Sequence, residues 1–111
     1  PLRLVGAVFA EAGLAEPGLD RLRGRDLGLA VARAMIAFEA AVGLPTRLAD
    51  VPGFTDGHVA RALAAAKNPQ LRMKLENMPV PLAAEGVDEY MGPVLEAART
   101  GRLELVRNVG A

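Results

Sequence analysis

The chain has no cysteine, no serine and no tryptophan, and His58 is its only histidine. Without cysteine there is neither a disulfide framework nor a thiolate metal site, and a reducing, cytoplasmic setting is compatible with the composition. The lack of serine and cysteine removes their nucleophile chemistry. A single histidine excludes a histidine pair or a His-x-x-x-His metal motif within the chain. Aromatic residues are few: Phe9, Phe38, Phe54 and Tyr90. Any core must therefore be built from Leu, Val, Ala and Met. Thirteen basic residues balance thirteen acidic ones, so there is no general attraction for nucleic acid or an anionic membrane surface. A long apolar run is missing too. The opening "PLRLVGAVFAEAG" is interrupted by Glu11, which makes it too short for a membrane span and a poor signal peptide. It begins at Pro1 with no initiator Met, as either a processed terminus or an excised piece would.

What the sequence does have is helical periodicity. Its 111 residues suit a single helical domain over 1–111 with one core. Leu2, Val5, Val8, Phe9 and Ala12 share one helical face, and Gly13 is placed to close that helix. "AEPGLDRLRGR" then reads as a connection. Over residues 26–43, Leu27, Val31, Ala34, Met35, Phe38 and Val42 form the strongest apolar stripe, with Arg33 and Glu39 turned away. Gly43 suits a C-terminal cap, Pro45 and Pro52 forbid helix, and Leu44 and Leu48 are expected to anchor an ordered loop. Thr55 or Asp56 can cap the next helix, near residues 57–68, where Val59, Leu63 and Ala66 share a face. After a proline-bracketed insert, residues 84–101 place Val87, Met91, Val94, Leu95 and Ala98 on one side, with Gly92-Pro93 expected to kink or divide the helix. Nothing alternates as a strand and no repeat is visible. The pattern predicts an all-α bundle of about four to six helices with short connections between antiparallel neighbours.

Candidate chemistry is sparse. His58, at the start of a helix, reads first as an exposed polar residue. Glu85, Asp88 and Glu89 could be read as a carboxylate site, but acidic residues in a first helical turn also favour the helix dipole, the commoner use. Lys67, Arg72 and Lys74 form a small basic cluster, with no phosphate-binding glycine motif beside it. A solvated cationic edge explains them as well. Met73, Met78 and Met91 could line an adaptable apolar pocket or simply fill a core. Asn77 lies among them, directly before a rigid Met-Pro-Val-Pro run. Such a segment can hold a loop at the wall of a cleft. The residues themselves define no catalytic, cofactor-binding or metal-binding set.

Two motifs, "GLPTRLADV" at 43–51 after a long amphipathic helix and "NMPVPL" at 77–82 before an acidic one, together resemble the carboxyl-terminal region of the iron-containing alcohol dehydrogenase family. Their order and spacing resemble the family as well as their letters do, although Met78, Val80 and Ala83 depart from its pattern. The resemblance runs from about Leu2 to Arg99 and implies the last part of a two-domain enzyme. It implies an amino-terminal dinucleotide-binding domain and the rest of a helical domain outside this chain, with NAD(P) and Fe2+ or another divalent metal bound there by one aspartate and three histidines. None of those ligands matches a residue here, so no cofactor is expected on this segment alone. For the whole enzyme it implies hydride transfer between a small alcohol or aldehyde and the nicotinamide. In this chain it implies that Met73 and Asn77 form part of a substrate-pocket wall. An apolar face left by the missing neighbour would permit self-association. The alternative from another class is a stand-alone helical protein-interaction module.

Overall fold

Glycine stops the first two helices of this chain. The structure, a computed structural model, describes residues 1–110. These residues are all-helical, with helices α1 (Leu2–Glu11), α2 (Gly24–Ala41), α3 (Asp56–Ala66), α4 (Arg72–Glu76) and α5 (Gly92–Thr100). Single 3-10 turns and one π turn join them, and no strand occurs among the described residues. Gly13 and Gly43 adopt left-handed φ values of 77° and 80° directly after α1 and α2. In each case the next amide reaches back to the last turn: Leu14 N–H to the Phe9 carbonyl and Leu44 N–H to that of Glu39, both at 2.9 Å. These bonds satisfy carbonyls that the helix end leaves without partners. Two compact units result, Pro1–Thr46 and Arg47–Ala111. The clustered buried side chains form two groups, one in each unit, where chain length suggests one core.

In the first unit Leu19, Leu27, Ala30 and Val31 are buried together. Gly6 is the buried residue of α1, and a Cβ placed there would lie 2.6 Å from a Leu19 methyl carbon and 3.3 Å from one of Val31. The bare backbone therefore makes the close contact. Arg3, early in α1, donates to the carbonyls of Asp20 and Leu22 at 3.0 and 2.8 Å, just ahead of α2. Near the helix ends Phe9 packs on Phe38, with ring centroids 6.1 Å apart. The two helices thus run in the same general direction, not antiparallel. Residues 12–23 are long enough to return along a ten-residue helix of about 15 Å.

That arrangement changes which faces are covered. The anticipated stripe on α1 points outward: Leu2, Val5 and Val8 are 48%, 42% and 65% exposed. On α2 the stripe is buried through Leu27, Val31 and Ala34, whereas Met35, Phe38 and Val42 remain about half exposed. A ten-residue helix cannot cover an eighteen-residue one. On the exposed side Arg33 donates through Nε and Nη2 to the two carboxylate oxygens of Glu16, at 3.2 and 2.7 Å. This bidentate contact holds the Glu16 carboxyl below its ordinary range.

In the second unit Leu75, Leu82 and Val87 are buried, with Leu63, Ala66, Met78, Tyr90 and Met91 packed against them. The helical run at 84–100 changes form along its length: a 3-10 turn at Ala84–Gly86, a π turn at Val87–Met91, then α5. Pro93 supplies the cause. It has no N–H to donate and its ring would crowd the carbonyl four residues back, so the stretch before it opens into a wider turn. Gly101, at φ 83°, ends α5, with the Arg47 side chain lying across it.

Candidate functional site

The proline-bracketed insert contains one element that periodicity alone does not suggest, the short helix α4. Asn68 opens this stretch: its side-chain oxygen accepts from the Gln70 amide at 3.0 Å, and Pro69 occupies the first position of the following 3-10 turn. After α4 the Met-Pro-Val-Pro run loops outward and returns, so that the Leu82 amide donates to the Leu75 carbonyl at 3.1 Å. Both leucines are thereby held in the core. Against them lies an open concavity of about 410 Å³ with Leu75 and Leu82 at its base and Lys67, Arg72, Glu76 and Glu85 among its polar residues.

Met73 and Asn77 are not among the residues lining that concavity. Met73 is 69% exposed. Asn77 is exposed and caps the end of α4, its amide donating to the Met73 carbonyl at 3.0 Å. The intervening turn of helix explains the placement: Leu75 faces the core, so its neighbours two residues away on either side face out. Met78 and Met91 are half-buried core fillers.

The charged groups around the insert hold one another. Arg72 donates to Glu76 one turn along α4, and that contact raises the Arg72 basicity further. Lys67 Nζ lies 2.8 Å from Asp88, and Arg107 Nη2 lies 3.3 Å from Glu89. Asp88 and Glu89 therefore have separate cationic partners. No charged or polar side chain is buried among the described residues. Nor do the described residues hold a group of three His, Asp or Glu side chains arranged for a metal ion.

His58 has a structural use. Its Nδ1 accepts the backbone N–H of Thr55 at 3.0 Å, and Thr55 Oγ1 lies 3.0 Å from the same nitrogen. Histidine thus stands where a capping box usually has Glu or Gln. The imidazole also stacks on Phe54, centroids 5.7 Å apart at an interplanar angle of 20°. Together they border a shallow apolar concavity of about 370 Å³ with Leu48, Val51, Pro52 and Leu95. Leu48 is half-buried there, whereas Leu44, expected as a second anchor, is 56% exposed. The motif at 43–51 spans the junction of the two units.

No helix is long and apolar enough to cross a membrane among the described residues. No family model matches the chain, and comparison with curated proteins and with solved structures likewise finds no match.

Proposed function

We propose that this chain is the carboxyl-terminal helical portion of a metal-dependent, NAD(P)-linked alcohol dehydrogenase, and that it performs no catalysis alone. The observation that carries the reading is the pair of motifs, "GLPTRLADV" and "NMPVPL", in that order and at that spacing between helices. All-helical architecture is compatible with it, as is an outward apolar face on α1 and the end of α2, where Leu2, Val5, Val8, Met35, Phe38 and Val42 lie substantially exposed.

Under this reading the reaction is reversible hydride transfer between an alcohol carbon and the nicotinamide ring. A divalent metal supplies Lewis-acid polarisation of the oxygen when bound. The metal ligands and the nucleotide-binding turn belong to polypeptide outside the present sequence. This chain contributes packing and, near the insert, a wall of the substrate cleft to which Met73 and Asn77 would belong once a neighbour covers them. The same exposed apolar face favours a second reading, a helical module that binds another protein. The intact mass of the polypeptide made from the native gene separates the two. A product several times longer, with a glycine-rich nucleotide turn and histidine-rich motifs ahead of Pro1, supports the enzyme. A product of this length supports the module.

A further inference from the structure

The part of the chain after α5 returns to the π turn. Leu103, Leu105 and Val106 are half-buried and fix the nearer portion, while the residues from Arg107 to Gly110 are exposed. Beyond Val106 three contacts converge on two consecutive residues of the π turn. Arg107 Nη2 is 3.3 Å from Glu89 Oε1, the Arg107 guanidinium carbon is 5.7 Å from the centre of the Tyr90 ring, and the Gly110 amide donates to the Tyr90 hydroxyl at 3.4 Å. Tyr90 itself is half-buried against the Leu75, Leu82 and Val87 cluster.

We propose that Arg107–Gly110 is a salt-sensitive latch closed over Tyr90, opening without unfolding the unit on which it rests. The three contacts named are polar, with the Arg107 and Glu89 side chains 52% and 50% accessible. An exposed ion pair and an exposed cation–π contact each bias closed over open by about two- to fivefold. Through Arg107 the two act together, for a bias of about tenfold. Segments held by such contacts open locally far more often than a buried core does. Opening bares the Tyr90 hydroxyl and one side of the π turn, leaving Leu82 and Val87 packed. The device is independent of the catalytic reading.

Amide exchange in the full 111-residue chain, followed residue by residue by NMR, tests it. Arg107→Ala should speed exchange at Gly110 about tenfold, and Glu89→Gln about two- to fivefold, with the Leu82 amide unchanged. Raising salt from about 0.01 M to about 1 M, which cuts the Debye length from ~30 to ~3 Å, should speed Gly110 exchange in the wild type much more than in Arg107→Ala. Tyr90 is the only tyrosine and tryptophan is absent, so quenching of intrinsic fluorescence should rise in parallel. Equal Gly110 exchange in Arg107→Ala and wild type would overturn the latch. So would acceleration at Gly110 that occurs only together with Leu82, because opening would then be global.

Discussion

Gly6 and Gly28 both lie within helices, yet their substitutions should have opposite effects. An alanine at position 6 gains about 1 kcal/mol of helix propensity but pushes a methyl against the buried Leu19 and Val31, where overpacking costs about 1–3 kcal/mol. Leu19 borders an open concavity and can shift a methyl, but Val31 is 1% exposed and stiff at χ1, so it holds its place. A Cβ at Gly28 meets nothing within 4 Å. Gly6→Ala should therefore lower stability and Gly28→Ala raise it by about 0.5–1 kcal/mol, read as shifts of the urea midpoint at unchanged slope. Charge follows a similar local logic. Arg33 lowers the Glu16 carboxyl and Arg99 that of Glu96, mainly by donated hydrogen bonds; for Glu104 a backbone hydrogen bond leads and Arg102 adds to it. A carboxyl whose folded value lies below its unfolded one contributes stability above the unfolded range, and loses it as pH falls through the folded value. Melting temperature should hold near neutrality and decline below about pH 4.3, with a shallower decline in Glu16→Gln. Glu16 and Glu104 are exposed and Glu96 only half-buried, so the decline should be small and should shrink in high salt. A melting temperature that rises on acidification would contradict these assignments.

Among the elements, α3 depends on its first turn. His58→Ala removes the acceptor for the Thr55 amide and should cost about 0.5–2 kcal/mol, whereas His58→Gln can remake the bond and should restore most of it. Equal stability of the two variants in chemical denaturation would show that the imidazole is not capping the helix. A cap at Thr55 or Asp56 is legible in the sequence, since either side chain before a helical pattern can accept from the first free amides, and the helix takes Thr55. The histidine half is not, since the geometry of Nδ1 decides it. The existence of α1, α2, α3 and α5 and the glycine stops at 13 and 43 are legible for a similar reason: periodicity and φ preference are local. Which face becomes buried is another matter. Leu2, Val5 and Val8 form a credible core stripe by spacing, yet α1 approaches Leu19 and Val31 through Gly6, because a bare backbone packs closer than a branched side chain. The parallel course of α1 and α2 likewise depends on how residues 12–23 travel, which spacing does not encode.

For the whole molecule, the sequence carries two kinds of signal that the structure uses differently. The all-α class follows from periodicity and is what the chain adopts. The insert and the motif ahead of it carry only a resemblance and the expectation of a cleft wall, and the side chains singled out for that wall, Met73 and Asn77, are exposed. A wall residue is recognisable only with its opposite wall present, and no local pattern in this chain supplies one. Under the proposed reading the reaction centre forms only with polypeptide outside this sequence, so the pure 111-residue chain should not oxidise NAD(P)H with an aldehyde and a divalent metal present. The measurement that tests the central claim most directly is aldehyde-dependent NAD(P)H oxidation by the native gene product carrying this sequence, assayed before and after removal of divalent metal. The account predicts turnover that metal removal abolishes and metal restores. No turnover by the metal-replete native product across a panel of small aldehydes and alcohols would contradict it.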